Sequence, residues 1–274
     1  MEDGEVIGST LRTAVLLAAT AVTASAEVTS VVPSVRDQAG STYVGFDTNK
    51  YPGDAAMNAW KKSGKYDWVG YYLEAPCHSD DSWSGKRARL TQNGWGLAVI
   101  YVGQQTWNKP ISLSSSTGND CSTKLVNAAQ GKVDARHAID MAKREGFDQG
   151  TVVFLDVEAM SAVPRGMRDY YTSWARTLLA DGRYLPGIYS HTKNAEQIYD
   201  DVKAVYKQAG RAGDPPFWIA STRGFSEAAD PTDVGHTFAD MWQGKLDITR
   251  THGGVKLPVD ISVAAVSSPS EGLQ

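Results

Sequence analysis

Short apolar runs alternate with amphipathic stretches along most of the chain. Strands are predicted where apolar and β-branched residues cluster over about four to eight positions, and helices where apolar residues recur every three or four positions. The predicted strands are Tyr43–Asp47, 67–73, 97–102, 151–158, 185–190, Phe217–Ala220, 238–243 and 259–263. The predicted helices are 53–62, 85–93, 130–145, 167–179 and 194–208.

Strands and helices that alternate in this order predict an α/β protein. Eight predicted strands within 274 residues, with little helix between the last two, suit a single-domain TIM (β/α)8-like barrel, which typically takes about 250 residues. A doubly wound parallel sheet is the alternative. It is disfavoured because the first predicted strand is not followed by the G-x-G-x-x-G turn that binds dinucleotides in such sheets.

The apolar run at 151–160 ends in two carboxylates, Asp156 and Glu158. Side chains alternate across a strand, so these two acids lie on the same face where the strand ends. Glycoside hydrolysis needs such a pair, one acid to protonate the leaving oxygen and one ionised partner. The pair could instead be polar residues that close a strand, or a cation site, and the short D-x-E pattern alone does not decide between these.

The predicted barrel gives further acids and aromatic residues the same location. Active sites of this fold lie at the carboxyl ends of the strands, where Asp47 ends the first strand and Asp260 opens the last. Aromatic side chains occupy comparable positions and could stack on sugar rings. These are Tyr72, Tyr101, Tyr189, Trp218 and Trp242. Packing within the barrel and helix layer is an equally good explanation for each one alone.

The first part of the chain has the pattern of an export signal. Residues 14–26 are mostly small and apolar, and they end in Ala24-Ser25-Ala26, an A-x-A cleavage pattern that predicts a mature start at Glu27. The acidic residues before this segment do not fit a signal peptide, so translation could start further in, and a core helix is the alternative. The predicted organisation is a signal peptide at 1–26, a linker at 27–41, the barrel at 42–266 and a C-terminal tail at 267–274.

Charge and cysteine content limit the classes of function that the chain could have. A net charge of -4 gives no general basic field for nucleic acid. Cys77 and Cys121 are expected to pair in an exported chain, because a barrel brings the loops that carry them to the same end of the fold, although two free thiols remain the alternative. No C-x-x-C or H-E-x-x-H spacing indicates a metal.

A series of motifs along the chain carries a family resemblance. In order they are GFDTNKYPG, WVGYYLEAPCH, GWGLAVIYVGQQ, VVFLDVEAM, LPGIYS, FWIA, MWQG and VDIS. This order resembles the bacterial glycoside-hydrolase-like barrel domain of unknown function, which is itself similar to the family-25 glycoside hydrolases, the lysozyme-like muramidases. The resemblance extends from about Tyr43 to Ala265. The early motif departs from the muramidases at Thr48-Asn49-Lys50.

The resemblance implies roles for individual residues. Glu158 would be the general acid, and Asp156 its neighbour that stabilises positive charge or assists the nucleophile. Asp47 and Asp260 would be flanking acids of the cleft. Tyr189, Trp242 and the adjacent Gln243 of the W-Q pair would line the sugar site.

The predicted function is therefore an exported glycoside hydrolase for a cell-wall or related polysaccharide such as peptidoglycan. We expect it to need neither a metal nor an organic cofactor, to be a monomer, and not to insert stably into a membrane. A carbohydrate-binding or cell-envelope protein without turnover is the alternative on the same barrel. An intracellular phosphate-binding barrel enzyme is disfavoured by the export pattern and the lack of a Gly-rich phosphate loop near the last strands.

Overall fold

The computed structural model describes Met1 and residues 42–107 and 121–273, and the barrel is built from the two longer ranges. Eight strands form a closed barrel in chain order. They are β1 (Tyr43–Asp47), β2 (Trp68–Tyr72), β3 (Gly96–Val102), β4 (Val152–Val157), β5 (Leu185–His191), β6 (Phe217–Ala220), β7 (Met241–His252) and β8 (Val255–Ala264). The predicted α/β barrel is confirmed. Apart from Met1, the predicted signal peptide and linker lie outside the described residues.

The last strand runs in the opposite direction to the other seven. The strands from β1 to β7 all pair parallel with one another in chain order, whereas β8 pairs antiparallel with both β7 and β1. The cause is the two-residue turn at Gly253 and Gly254, where both φ angles are positive, 55° and 76°. Such a turn reverses the chain at once, while a parallel return needs a crossover of a dozen or more residues. The barrel therefore departs from a repeat of eight parallel βα units at its last strand.

Helices cover most of the outside of the barrel. They are α1 (Asp54–Lys62), α2 (Arg87–Gln92), α3 (Ala128–Arg144), α4 (Arg165–Asp181), α5 (Thr192–Gln208) and the single turn α6 (Pro269–Gly272). Asn127 caps the start of the long helix α3, because its side chain accepts a hydrogen bond from the Gln130 N–H at 3.0 Å and so satisfies one free amide of the first turn. Its core face is formed largely by small residues such as Ala135 and Ala138, which lets neighbouring elements approach closely.

The connection from β6 to β7 contains only a 3-10 helix, Pro231–Val234, and the β7–β8 connection is the tight turn. β7 continues well past the end of its predicted range, 238–243, and β8 begins before its predicted range, 259–263. The extended hairpin packs on α1: Trp60 Nε1 donates to the Val255 carbonyl at 3.0 Å, and its ring lies 5.0 Å from that of His252. The hairpin thus packs against α1 on the side of the barrel where the β6–β7 and β7–β8 connections contain no α-helix.

Large and small side chains alternate inside the barrel. A Cβ added at Gly45 would lie 2.1 Å from the Trp68 ring, and one added at Gly187 would lie 2.7 Å from the Phe154 ring. Glycines on β1 and β5 therefore make room for aromatic rings from β2 and β4. The barrel interior is a packed core, as is usual for this architecture.

The residues assigned to a C-terminal tail pack against the barrel. Ser270 is fully buried, and its hydroxyl accepts a hydrogen bond from the Val99 N–H at 2.7 Å; the Ser268 hydroxyl accepts one from Leu97 N–H at 3.2 Å. These contacts fix α6 at the start of β3, away from the carboxyl ends of the strands. In the part of the chain that the structure describes, no helix has the length and apolar character to cross a membrane.

Candidate active site

A cavity of about 340 Å³ opens at the carboxyl ends of the parallel strands. All four acids predicted from the sequence line it, together with three of the predicted aromatic residues and the predicted amide. These are Asp47, Asp156, Glu158, Asp260, Tyr72, Tyr189, Trp218 and Gln243. The structure therefore brings most of the predicted site into one place.

Asp47 is the most buried of the four acids, with 4% of its surface exposed. The Tyr72 hydroxyl donates a hydrogen bond to Asp47 Oδ1 at 2.7 Å, and Gln243 Nε2 donates one to Asp47 Oδ2 at 2.9 Å. Gln243 is oriented in turn by the Tyr189 hydroxyl, which donates to its Oε1 at 2.6 Å. Gly70 permits this arrangement, because a Cβ there would lie 2.5 Å from Asp47 Cβ.

Asp260 lies opposite Asp47 in the β1–β8 register. It falls in the middle of β8 instead of opening it, so this part of the prediction is corrected. The antiparallel direction of β8 still brings it to the carboxyl end of β1. Its Oδ1 accepts a hydrogen bond from the Asp247 N–H at 2.6 Å, and Gln243 Nε2 lies 3.5 Å from its Oδ2.

The electrostatics of this acid pair disfavour two negative charges. Burial, and then the charge of Asp260, raise the pKa of Asp47 above its ordinary value, although the hydrogen bonds from Tyr72 and Gln243 lower it in part. The pKa of Asp260 is also raised, first by burial and further by the charges of Asp247 and Glu158, against the lowering effect of the Asp247 N–H. Two close carboxyls that resist ionisation can share or hold a proton.

Tyr72 and Tyr189 stay protonated and act as hydrogen-bond donors. Burial, followed by the charge of Asp47, raises the pKa of Tyr72 well above its ordinary value. Burial and the charges of Asp156 and Glu158 do the same for Tyr189. Both hydroxyls therefore keep their protons at any physiological pH and hold the acid–amide network in one arrangement.

Asp156 and Glu158 lie at the end of β4, and both line the cavity, as the alternation predicted. The side chain of Gln105, which follows β3 and is buried, spans this segment. Its Nε2 donates to the Asp156 carbonyl at 2.8 Å, and its Oε1 accepts from the Glu158 N–H at 3.2 Å. Gln105 thereby continues the pairing of β3 with β4 beyond the point where the backbones separate.

Two predicted sugar-binding residues do not line the cavity, and the prediction for Tyr101 and Trp242 is corrected. Tyr101 lies between Ile100 and Val102, which do line it, so alternation turns Tyr101 outward, where its hydroxyl lies 3.1 Å from His137 Nδ1. Trp242 precedes the inward-facing Gln243. Its Nε1 donates to the Ser221 carbonyl at 2.7 Å, outside the barrel.

Several cavity residues escaped the sequence analysis. His78 lines the cavity and stacks on Tyr72, with ring centroids 4.7 Å apart. Asn49, Leu246 and Asp247 also line the cavity. A general signal could have found Asn49 and His78, because both follow the end of a strand. Leu246 and Asp247 depend on a long hairpin that the period-two pattern did not reveal.

The predicted disulfide is confirmed. Cys77 and Cys121 are bonded, with their Cα atoms 4.8 Å apart, and they are separated by 44 positions in sequence. Cys77 lines the cavity, and its N–H donates to the Val102 carbonyl at 3.2 Å. The bond therefore ties the segment before α3 to the loop that carries His78.

A second cavity of about 290 Å³ adjoins the first. The two share Asp47, Asn49, Asp247 and Asp260 in their linings, and the second adds Thr48 and Lys50 of the loop after β1. The acid pair thus lies where two compartments of a groove meet. Within residues 42–107 and 121–273, no group of three or more His, Cys, Asp or Glu side chains is arranged to hold a metal ion.

Solved structures with a similar fold include a spore cortex lytic enzyme and a bacterial lysozyme. An uncharacterized protein of B. stearothermophilus is 22% identical, with 81% of this chain and 95% of that chain covered and a TM-score of 0.56. The Clostridium perfringens spore cortex lytic enzyme SleM is 17% identical, with 83% and 68% covered and a TM-score of 0.55. The bacterial lysozyme of Streptomyces coelicolor is 16% identical, with 85% and 99% covered and a TM-score of 0.52. At these identities the likeness shows a shared fold.

A family model gives the closer classification. No curated protein matches the sequence significantly. The model described as "Rv2525c-like, glycoside hydrolase-like domain" matches residues 58–264. That range runs from within α1 to the last residue of β8 and includes most of the acid site. The chain therefore belongs to the Rv2525c-like glycoside hydrolase-like domain family.

Proposed function

We propose that this protein is an exported glycoside hydrolase that acts on cell-wall or related polysaccharide in the manner of a muramidase. The observation that carries the proposal is the meeting of Asp47, Asp156, Glu158 and Asp260 in one cavity at the carboxyl ends of the barrel strands. A packed barrel has no structural need for four carboxylic acids at one end, and burying them costs stability. Membership of a glycoside hydrolase-like family and the fold shared with a lysozyme support the same chemistry.

The proposed reaction uses Glu158 as the proton donor to the glycosidic oxygen. As the bond breaks, positive charge develops on the sugar ring, and Asp156 stabilises it from the same strand end. Asp47 and Asp260 flank the ring, and Tyr72 and Gln243 hold Asp47 in a fixed orientation. Because this acid pair resists full ionisation, it adds less negative charge to the cleft than two ordinary carboxylates.

The groove suits an internal bond of a chain. The acid pair lies between two compartments of about 340 and 290 Å³, so sugar units can extend to both sides of it. Tyr189 and Trp218 line the larger compartment, with their ring centroids 5.2 Å apart in an edge-to-face contact. Aromatic rings of this kind pack on the C–H faces of sugars.

Export is part of the proposal. The A-x-A pattern at Ala24-Ser25-Ala26 and the disulfide Cys77–Cys121 both suit a chain that acts outside the cytoplasm. A polysaccharide of the cell wall is reachable only there. We propose that the protein works as a monomer and binds the glycan without inserting into the membrane.

The decisive measurement is the release of reducing ends from peptidoglycan and from chitin-type oligosaccharides. Glu158→Gln is expected to lower turnover by about 10²- to 10⁴-fold, the usual contribution of general acid catalysis, while the unfolding midpoint stays close to that of the wild type. Turnover at the wild-type rate in this variant would refute the role of Glu158.

A matched control is available at the end of another strand. Glu74 follows β2 as Glu158 follows β4, but it does not line the cavity and acts electrostatically on Tyr101 and His137, on the outer face. Glu74→Gln should therefore keep full turnover. If the wild type binds the glycans but releases no reducing ends, the protein is a carbohydrate-binding member of the family instead of a hydrolase.

A further inference from the structure

The β7 strand changes its regular course beside the cavity. Its register with β8 shifts between Gln243 and Lys245 and again between Lys245 and Ile248. Within this irregular segment Asp247 has a φ of 50°, the one positive φ among the non-glycine residues that the structure describes. Bulges of this kind often re-aim side chains next to active sites.

The bulge directs two consecutive side chains toward the same cavity. Leu246 and Asp247 both line it, which a regular strand forbids because neighbouring side chains point to opposite faces. Asp247 has a structural task there, since its N–H binds Asp260. The Leu246 side chain has no comparable task and remains 42% exposed.

Contacts on both sides hold the bulge in place. A Cβ at Gly244 would lie 1.8 Å from the Phe225 ring, so the backbone rests directly on that ring. Lys245 forms an ion pair with Glu227 at 2.5 Å on the outer side. The Asp247 N–H is fixed on the inner side by Asp260 at 2.6 Å. Leu246, between these anchors, is presented to the cavity in a defined position.

An exposed leucine is common on a soluble protein, and alone it needs no explanation. Leu246 differs by its location, because it is an apolar group at the mouth of a cavity lined by five carboxyl groups: Asp47, Asp156, Glu158, Asp247 and Asp260. Sugar rings carry polar edges and apolar C–H faces. A cleft of acids and hydroxyls binds the edges, and an apolar side chain at its rim can cover a face.

We infer that Leu246 is a specificity-determining residue, which packs on the apolar face or the N-acetyl methyl group of a sugar bound in the larger compartment. The inference rests on the proposed function to the extent that the cleft binds a glycan, but not on hydrolysis. Burial of the exposed part of the side chain corresponds to about a 5- to 10-fold gain in affinity.

The test is a binding titration in the Glu158→Gln background, so that no turnover interferes. Two probes are used, the N-acetylglucosamine tetrasaccharide and a tetrasaccharide of alternating N-acetylglucosamine and N-acetylmuramic acid. Leu246→Ser should raise the Kd for at least one of them about 5- to 10-fold without changing the unfolding midpoint. Leu246→Met, which keeps an apolar side chain of similar volume, should restore binding.

Val133 provides the control, because it is 44% exposed on α3 and does not line the cavity. Val133→Ser should leave both Kd values unchanged. An unchanged Kd in Leu246→Ser would overturn the inference, and so would a parent protein that binds neither probe. If binding depends on Leu246 but the wild type releases no reducing ends from any glycan, the inference stands and only the proposed hydrolysis fails.

Discussion

At the scale of single residues, the D-x-E segment depends on a residue that carries no charge. Gln105 is 1% exposed, and it pairs with the Asp156 carbonyl and the Glu158 N–H. The two acids therefore have fixed backbones even though they lie where β4 ends. Ordering of this kind matters because catalytic groups must stay close to the productive geometry.

We expect Gln105→Leu to loosen this segment. The change leaves the partly buried Asp156 carbonyl and Glu158 N–H without their partner, at a cost of about 1–3 kcal/mol in the free energy of unfolding. Hydrogen exchange at the Glu158 amide should become faster than in the wild type. The exposed Gln92 on α2 is the control, and Gln92→Leu should change neither quantity. Unaltered protection of the Glu158 amide in Gln105→Leu would contradict this role.

The raised pKa of Asp47 predicts a pH dependence of stability. The folded protein holds this proton at pH values where the unfolded chain, with an ordinary aspartate pKa near 4, has lost it. The folded state then binds more protons, so this contribution to stability is fully present below about pH 4 and is lost as the pH rises through the folded pKa. Asp47→Asn cannot ionise, and its stability relative to the wild type should rise between pH 4 and neutrality.

Denaturant midpoints measured at intervals across this pH range give the check. Glu227 serves as the opposite case, because its pKa is lowered to about 2. Burial raises this pKa, but the hydrogen bonds and charges of Lys245 and Lys65 have the larger combined effect and lower it. Its contribution is present above the ordinary glutamate pKa and is lost on acidification. Glu227→Gln should therefore lose its effect at low pH. A difference between Asp47→Asn and the wild type that stays constant with pH would rule out the shifted pKa.

At the scale of elements, loops after neighbouring strands are joined covalently above the site. The bond between Cys77 and Cys121 connects the loop after β2 to the segment before α3. His78 lies next to this bond and stacks on Tyr72, the donor to Asp47. The geometry of the acid network is thus connected to the disulfide through only a few side chains.

Reduction of this disulfide should destabilise the protein. Closing a loop of 44 positions contributes up to about 4 kcal/mol in the chain-entropy model, an upper value because residual structure in the unfolded chain reduces it. The denaturant midpoint should fall in the presence of a reductant. In the Cys77→Ala/Cys121→Ala double variant the reductant should have no effect, which separates bond cleavage from other actions of the reagent. Equal midpoints of the wild type with and without reductant would refute this contribution.

At the scale of the whole molecule, the barrel is closed by a hairpin in place of the last βα unit. β8 pairs antiparallel with β7 and β1, and this places Asp260 opposite Asp47. The extended hairpin also supplies Leu246 and Asp247 to the cleft and covers α1. One departure from the regular (β/α)8 repeat therefore serves both the closure of the barrel and the shape of the site.

Processing of the full chain is the corresponding prediction. If the protein is exported, the form recovered from the culture medium of its native host should begin near Glu27, because Ala24 and Ala26 suit a signal peptidase. N-terminal sequencing or intact mass of the secreted form gives the answer. Cytosolic protein that retains Met1 would refute export, and with it the expectation of an oxidising compartment.

The sequence by itself determined the order of the elements and much of the site. Local patterns suffice for this, because period-two runs define strands, and a barrel places the carboxyl ends of its parallel strands at the same rim. Asp47, Asp156 and Glu158 could be assigned to one site on that basis. Cys77 and Cys121 could be paired for the same reason.

Only the tertiary structure decided the direction of β8, the outward positions of Tyr101 and Trp242, and the bulge that turns Leu246 inward. These features depend on the exact register between strands, and a shift by one residue exchanges the two faces of a strand. The raised pKa of Asp47 likewise arises from burial and from a neighbour 213 positions away, Asp260, that β8 brings alongside. Sequence patterns describe the near neighbours of a residue, whereas register and burial are set by the whole barrel.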